Sequence, residues 1–433
     1  MEKYKGAYVV DKEDYYFLIN PYLQTTSEIK KIDNDFRKSI EPYEKDLIDS
    51  YILFNDDNYN YNRISNYFVN KEKYNFNSVT FTEAMSFDCN LNCIYCMQQN
   101  TCKSRNKITP DERVTLWQKI KNLFNANDIK ICLFGGEPFY DLNYVEELFN
   151  IAEKRNINIS SIIAVTNGTI CNEQVCNIIN KFHISTLQIT LDGLKEVQDS
   201  RRVLTNGSSY DLITNNIDSF LKYTKASIII NTVLDKQNKN DYIPMVREII
   251  NRYNDYVFGD KPRVIFNLGT ECHPVNRCQY TNENASYNVQ FMDTYYENLF
   301  KLIDLGVAIN SIFPGPICIG NKSNDIVTGP DGNIYSCISA IGLDDFKICD
   351  YEDVLNNPAK FLFQSIKFSE SNKSAECFEC EYSPWCNGGC SYNKFVEGKK
   401  SSCQKLIFKE VIEKIVNISS MVQEIYPNIY RKK

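Results

Sequence analysis

The sequence predicts an α/β protein built on a parallel sheet, preceded by a small α+β unit and followed by a cysteine-rich one. Three observations lead there. Strand-length apolar runs alternate with amphipathic helix-length runs from Val79 to about Leu268. The first 77 residues are rich in Tyr, Asn, Asp and Lys and hold none of the 17 cysteines, which crowd into the rest of the chain, most densely after Cys318. Alternating strand and helix signals imply a parallel sheet, open or closed into a barrel, with its ligand at the carboxyl ends of the strands.

In order, residues 1–77 read as short strands at Tyr8–Val10 and Tyr15–Ile19, helical stretches at Ser27–Ile40 and Tyr43–Leu53, and a polar loop at Asn55–Asn62. The alternating region offers strands at Ile129–Phe134, Ile159–Val165, Thr186–Leu191, Ala226–Val233 and Arg263–Leu268. Helices are expected at Pro110–Asn125, Leu142–Arg155, Cys171–Lys181, Tyr210–Lys222 and Asp241–Tyr253. A loop-rich, cysteine-dense stretch then runs to an apolar helix at Gln404–Tyr426. Such a thin-cored unit calls for a metal or disulfide staple.

At 433 residues the chain can hold two or three domains. A net charge of -7 without a one-sign run argues against a nucleic-acid binder. The first residues lack the apolar stretch of a signal peptide, and no apolar run is long enough to span a bilayer. A soluble cytoplasmic protein, with no nucleic-acid and no membrane partner, is expected. In that reducing setting, clustered cysteines bind metal or do chemistry more often than they form disulfides. With only two histidines, His183 and His273, a metal must be held by thiolates, as an iron–sulfur cluster or Cys-only zinc.

Cys89, Cys93 and Cys96 have the spacing C-x3-C-x2-C. Three thiolates on one short loop can hold three irons of a 4Fe–4S cube and leave the fourth open, as a catalytic metal requires. A zinc site completed by Cys102 is the structural alternative. With Tyr95 before the last cysteine, this segment resembles the signature of the radical S-adenosylmethionine (SAM) superfamily. Gly135-Gly136-Glu137-Pro138 after a strand matches that family's GGEP motif, whose backbone and acid hold the SAM amino group. Thr166-Asn167-Gly168 matches its TNG strand end. The stretch Thr190-Leu-Asp192-Gly193, continuing to Asp199 and Arg202, is similar to its S-x-D-G-P-K-E-x-H-D-x-x-R segment. The resemblance places Thr190 and Asp192 near the SAM ribose or carboxylate and pairs Arg202 with the carboxylate. Thr190, Leu194 and Gln198 depart from the family's Ser, Pro and His, and Asp199 reads equally well as a turn or capping residue.

Cys318, Gly332 and Cys337, then Cys377-x2-Cys380-x5-Cys386-x3-Cys390 and Cys403, resemble the SPASM extension at every position. That resemblance implies two auxiliary 4Fe–4S clusters: Cys318, Cys337 and Cys390 on the first, Cys377, Cys380, Cys386 and Cys403 on the second. The first lacks a cysteine, because Asn324 stands where some members have one. An open iron is preferred, with Asp325 or Cys349 as alternatives. Cys132, Cys171, Cys176, Cys272 and Cys278 read as ordinary thiols, and Cys102 as a possible exception.

The resemblance implies a partial (β/α)6 TIM-like barrel over residues 78–305. Around it stand an α+β domain at 1–77, a SPASM domain at 306–405 and a C-terminal helix at 406–433. It implies reductive cleavage of SAM to a 5′-deoxyadenosyl radical that takes hydrogen from a peptide. The expected outcome is a Cys thioether crosslink in a ribosomally made peptide, with residues 1–77 either binding its leader by strand addition or forming an extra cap over the barrel. Flavodoxin or ferredoxin is the expected electron donor. The alternatives are Cys or Ser oxidation of the anaerobic sulfatase-maturating type, disfavoured by Ile338 where that branch carries an acid, another radical dehydrogenation, and a non-catalytic zinc scaffold.

Overall fold

The computed structural model describes residues 2–23, 25–55, 61–98, 107–259, 261–270, 289–310, 318, 320, 322–370, 374–390, 392 and 403–425. Cys102, Cys272 and Cys278 lie outside them, as do residues 56–60 of the expected loop and Tyr426 of the expected terminal helix.

Four antiparallel strands open the chain: β1 (Glu2–Tyr4), β2 (Ala7–Asp11), β3 (Tyr15–Asn20) and β4 (Thr25–Lys30), paired in that order. Both faces of β2 and β3 are covered. Tyr8, Val10, Phe17 and Ile19 join the main core. The alternate residues Ala7, Val9, Tyr16 and Leu18 pack with Ile40, Leu47, Ile52 and Leu53 in a second core. The helix expected over Ser27–Ile40 is corrected here. Its first half is β4, drawn into register with β3, and only Phe36–Ile40 is helical, started by Asp35 accepting from the Arg37 and Lys38 N–H groups. Pairing along a half-buried sheet edge overrides weak helical periodicity in so polar a segment. A polar helix, Tyr61–Lys73, was not expected.

Six strands follow, each parallel to its neighbour and in chain order: β5 (Ser78–Ala84), β7 (Asp128–Phe134), β8 (Ile159–Thr166), β9 (Ile184–Thr190), β11 (Ser227–Leu234) and β12 (Val264–Thr270). Helices Pro110–Leu123, Leu142–Lys154, Glu173–Lys181, Ser209–Tyr223 and Tyr242–Arg252 connect them. This is the single winding of a partial (β/α)6 barrel. Alternation along each strand sorts the faces: Ile129, Ile131 and Leu133 of β7 enter the core under the helices, while Lys130 and Cys132 turn to the other side. On the helix side Glu83 accepts from Arg113 and from Trp117 Nε1 at 2.6 Å, so its buried charge is both paired and hydrogen-bonded.

The sheet does not end at β5. Strand β13 (Asp325–Thr328) adds to it in parallel, and β14 (Ile334–Tyr335) and β15 (Lys347–Cys349) extend it antiparallel to nine strands. The cysteine-rich region is thereby joined to the barrel edge. The terminal helix Lys405–Ile425 packs on helix Val289–Asp304 and reaches β2 and β3, while Trp385 meets the Tyr8 ring at 5.4 Å. No helix among the described residues is long and apolar enough to cross a membrane.

Candidate active site

The motif segments meet at the carboxyl ends of β5, β7, β8 and β9. The loop after β5 carries Cys89, Cys93 and Cys96. Its strand β6 (Leu91–Cys93) pairs antiparallel with β10 (Arg202–Leu204), which sets Arg202 opposite Cys93. Ile94 N–H donates to the Arg201 carbonyl at 2.9 Å, so the loop and the segment after β9 form one unit.

Gly135 and Gly136 let the end of β7 lie against the root of this loop. Gly136 N–H donates to the Ser86 carbonyl at 2.8 Å and Glu137 N–H to that of Asp88 at 2.9 Å. Gly135 has a φ of 115°, and a Cβ there would stand 2.5 Å from the Ser86 oxygen; one on Gly136 would strike the Asp88 carbonyl. Backbone approach is indeed what the glycines permit, but it is approach to the cysteine loop.

Glu137 is buried and takes three internal donors. Its Oε1 accepts from Thr166 Oγ1 at 2.7 Å and Phe139 N at 3.1 Å, and its Oε2 from Asn167 N at 2.7 Å. Burial raises its pKa, against these hydrogen bonds and the Arg202 charge. A carboxylate offers about four acceptor positions, which leaves one on Oε2 for an ammonium. Asn167 bonds Asn90 and Thr169 and reaches the Cys89 sulfur.

Asp192 is fully buried and its oxygens are occupied by protein. Tyr95 Oη donates to Oδ2, Arg201 Nε lies 3.3 Å from the same oxygen, and Val233 N–H donates to Oδ1 at 3.0 Å. Arg201 continues to Asp235 at 2.6 Å. The hydroxyl of Tyr95 also accepts from Arg202 Nη1 at 2.9 Å. Tyr95 and Asp192 thus clamp the loop, a role that their motif positions did not announce. The departures from the family pattern fit as well. Gln198 closes the turn by accepting from Asp192 N–H at 2.7 Å, and Leu194 donates an N–H to Asp241 that proline would lack. Asp199 takes the N–H of Tyr210 and the hydroxyl of Ser209, a tie to the next helix. Arg201, Asn90 and Thr169 were missed; the Arg201-Arg202 pair was the available signal.

Arg202 differs from these. Burial works against its charge, yet Tyr95, Cys93 and Asp192 hold its pKa above the usual value. No carboxylate lies within ion-pair distance of it among the described residues, and its Nε is buried without a hydrogen-bond partner. An unsatisfied buried donor on a permanent cation suits an anionic ligand. Burial pushes the Cys93 thiol up to about 11; Arg202 opposes the rise and Cys96, Cys89 and Asp192 add to it. Cys93 is buried, Cys96 half-buried and Cys89 exposed, so the three sulfurs line a cation-flanked corner that is open at Cys89, which fits thiolate ligation of an iron cluster with SAM beside it. Among the described residues no three such groups converge closely enough to grip a single ion.

The second array falls into two neighbourhoods. Burial raises the thiol of Cys386, and Cys377 and Cys403 raise it further. Burial likewise raises that of Cys318, with Cys390 and Asp325 adding; Cys337 and Cys390 pack on the small cluster of Ala340, Phe346 and Tyr392. Cys349 instead lies in the main core, and Asn324 Nδ2 turns to the carbonyls of Asn75 and Ser78.

Comparison with known proteins agrees with this arrangement. The family model for the radical SAM superfamily matches residues 85–249. A cysteine-type anaerobic sulfatase-maturating enzyme of Clostridium novyi is 28% identical over 382 residues, 80% of this chain and 97% of that one. The radical SAM cyclopropyl synthase TigE of Paramaledivibacter caminithermalis is 24% identical over 95% of this chain and 92% of its own. In structure, Streptococcus suis SuiB bound to its precursor peptide SuiA aligns with a TM-score of 0.54 at 15% identity, covering 93% of this chain and 98% of that one. With its cysteine loop, its strand-end motifs and these relatives in agreement, the chain is an enzyme that carries a radical SAM superfamily domain at residues 85–249, and that family implies a 4Fe–4S cluster and SAM as cofactors.

Proposed function

We propose that this enzyme modifies a peptide, removing hydrogen to close a crosslink between a Cys sulfur and a carbon of a ribosomally made precursor. Cys89, Cys93 and Cys96 would hold the cluster, with Arg202, Thr190 and the remaining acceptor on Glu137 facing the amino-acid end of SAM. When bound, cluster and SAM supply the electron and the 5′-deoxyadenosyl group that starts the chemistry; the barrel walls orient the peptide and exclude water. The observation that carries the reading is the length of the likeness. TigE and the SuiB–SuiA complex match 95% and 93% of the chain, against 80% for the sulfatase-maturating relative. The added share is about the size of residues 1–77, proposed here as a leader-binding domain whose β4 edge could accept a strand.

We propose the rest of the division likewise: barrel at 78–305, SPASM domain at 306–405, terminal helix after it. Cys318, Cys337 and Cys390 would ligate a first auxiliary cluster, and Cys377, Cys380, Cys386 and Cys403 a second. A cytoplasmic setting with flavodoxin or ferredoxin as electron donor suits oxygen-sensitive clusters. Sulfatase-type oxidation is disfavoured because Ile338, at the position of that branch's acid, packs against apolar Ala84, Val327, Tyr335 and Ile341. Carbon–carbon ring closure is the second reading, favoured by the match to TigE. The test is anaerobic incubation of reconstituted enzyme with SAM, reductant and peptides from neighbouring reading frames. A product two hydrogens lighter, with Cys alkylation blocked, supports the thioether; unblocked Cys in that product supports ring closure. Release of 5′-deoxyadenosine with every peptide unchanged refutes both.

A further inference from the structure

Asn167 stands beneath the cysteine loop with its side-chain amide in a defined orientation. The Thr169 backbone N–H, which can only donate, lies 2.8 Å from Asn167 Oδ1, and the Thr169 hydroxyl lies 2.6 Å from the same oxygen. Nδ2 is therefore the atom that faces Asn90 Oδ1 at 2.9 Å and Cys89 Sγ at 3.5 Å. Asn167 is only 4% exposed, so water competes little for these donors. Its own backbone N–H is fixed on Glu137, which ties β8 to the end of β7. The residue is held from three sides with one N–H directed at sulfur.

We propose that Asn167 is a positioning residue that tunes the cluster: its amide donates a hydrogen bond to the Cys89 sulfur and raises the potential at which the cluster accepts an electron. The inference rests on Cys89, Cys93 and Cys96 being the cluster ligands. One-electron reduction adds negative charge that spreads onto the ligating sulfurs. A fixed N–H dipole aimed at one of them stabilises the reduced state more than the oxidised one. Burial of Asn167 limits screening on the donor side of that dipole, while Cys89 itself reaches the surface. The motif asparagine thus contributes to the electron-accepting step through the Cys89 sulfur.

The test is an EPR-monitored redox titration of the anaerobically reconstituted full chain, following the signal that changes on addition of SAM. Asn167→Ala removes both donors, whereas Asn90→Ala keeps the donor to sulfur and removes the bonds of Asn90 to Asn167 and Thr169. The expectation for Asn167→Ala is a roughly tenfold fall in the reduced-to-oxidised ratio at a fixed donor potential, or about 59 mV to the negative for one electron. Asn90→Ala should move the midpoint much less. An unmoved midpoint in Asn167→Ala, or equal shifts in the two variants, overturns the proposal. Asn167→Asp keeps the acceptor for Thr169 and exchanges the donor for an acceptor, so it serves if Asn167→Ala fails to load iron; a midpoint that does not fall there is equally fatal. A wild-type chain with no iron, or with no SAM-sensitive signal, instead overturns the ligand assignment beneath the proposal.

Discussion

Asp192→Asn tests whether the buried ion network holds the cysteine loop. Asp192 receives Tyr95, Arg201 and the Val233 N–H, and its side chain is fully buried. Asparagine must turn its NH2 group toward a donor whichever way the amide is placed, and the Arg201 charge loses one of two carboxylates. Breaking a buried pair from one side costs about 3–5 kcal/mol. Because Asp235 still holds Arg201, the lower end, about 3 kcal/mol, is expected. At about 2–4 °C per kcal/mol for a barrel-sized unit, the cluster-free protein should melt about 6–12 °C lower. Iron retained after reconstitution should fall as well, since Tyr95 lies on the loop itself. Asp235→Asn is the control: it is 18% exposed and cuts one arm only, so a loss of about 1 kcal/mol is expected. If Asp192→Asn melts within a degree of wild type and loads iron fully, the network does not hold the loop.

Three further outcomes follow from the geometry. Gly136→Ala should abolish iron loading because its Cβ meets the Asp88 carbonyl, whereas Gly207→Ala, at a φ of 93° but with open space around it, should load normally and lose only about 1 kcal/mol in a thermal melt. Arg113→Met strands the buried carboxylate of Glu83 with Trp117 as its one remaining partner among the described residues, and urea unfolding should report a loss of about 3–5 kcal/mol. Chelating the iron should expose the cysteine-rich segment 374–403 to limited proteolysis while the barrel stays resistant; simultaneous loss of both would show that the barrel depends on the clusters too.

Five of the six barrel strands were legible because each is an apolar run of ordinary length bounded by polar turns, and their ends fell within a few residues of the expected positions; β5 was not, because Ser78–Ala84 mixes Ser, Thr and Glu with its apolar residues. The strand β4 was not, because Thr25–Lys30 has little apolar content and becomes a strand by pairing with β3. The β14–β15 hairpin was hidden for a related reason, its first strand being two residues long. At the site, spacing picked out residues that the fold brings together but not the bonds they make. Tyr95 and Asp192 are 97 residues apart, so their bond depends on strand order and no local pattern announces it.

The distribution of those bonds divides the motif residues by task. Tyr95, Asp192, Arg201, Asn167 and most of Glu137 have their polar atoms spent on one another or on the loop. Such residues preorganise the loop, and their replacement should act first on iron retention or potential. Arg202 has an unsatisfied Nε, and the Thr190 hydroxyl finds no partner among the described residues. Only groups with capacity left can bind a ligand at full strength. Thr190→Val, which keeps the shape, should therefore retain iron while the SAM dissociation constant rises about 2–10-fold, the worth of one ordinary hydrogen bond. Arg202→Lys gives up the fork that meets a carboxylate and should weaken SAM about 10–100-fold in equilibrium binding, with iron largely kept because the Tyr95–Asp192 bond remains. If either variant instead loses iron in proportion to its loss of SAM binding, the division of tasks is wrong, and Arg202 belongs with the groups that hold the loop.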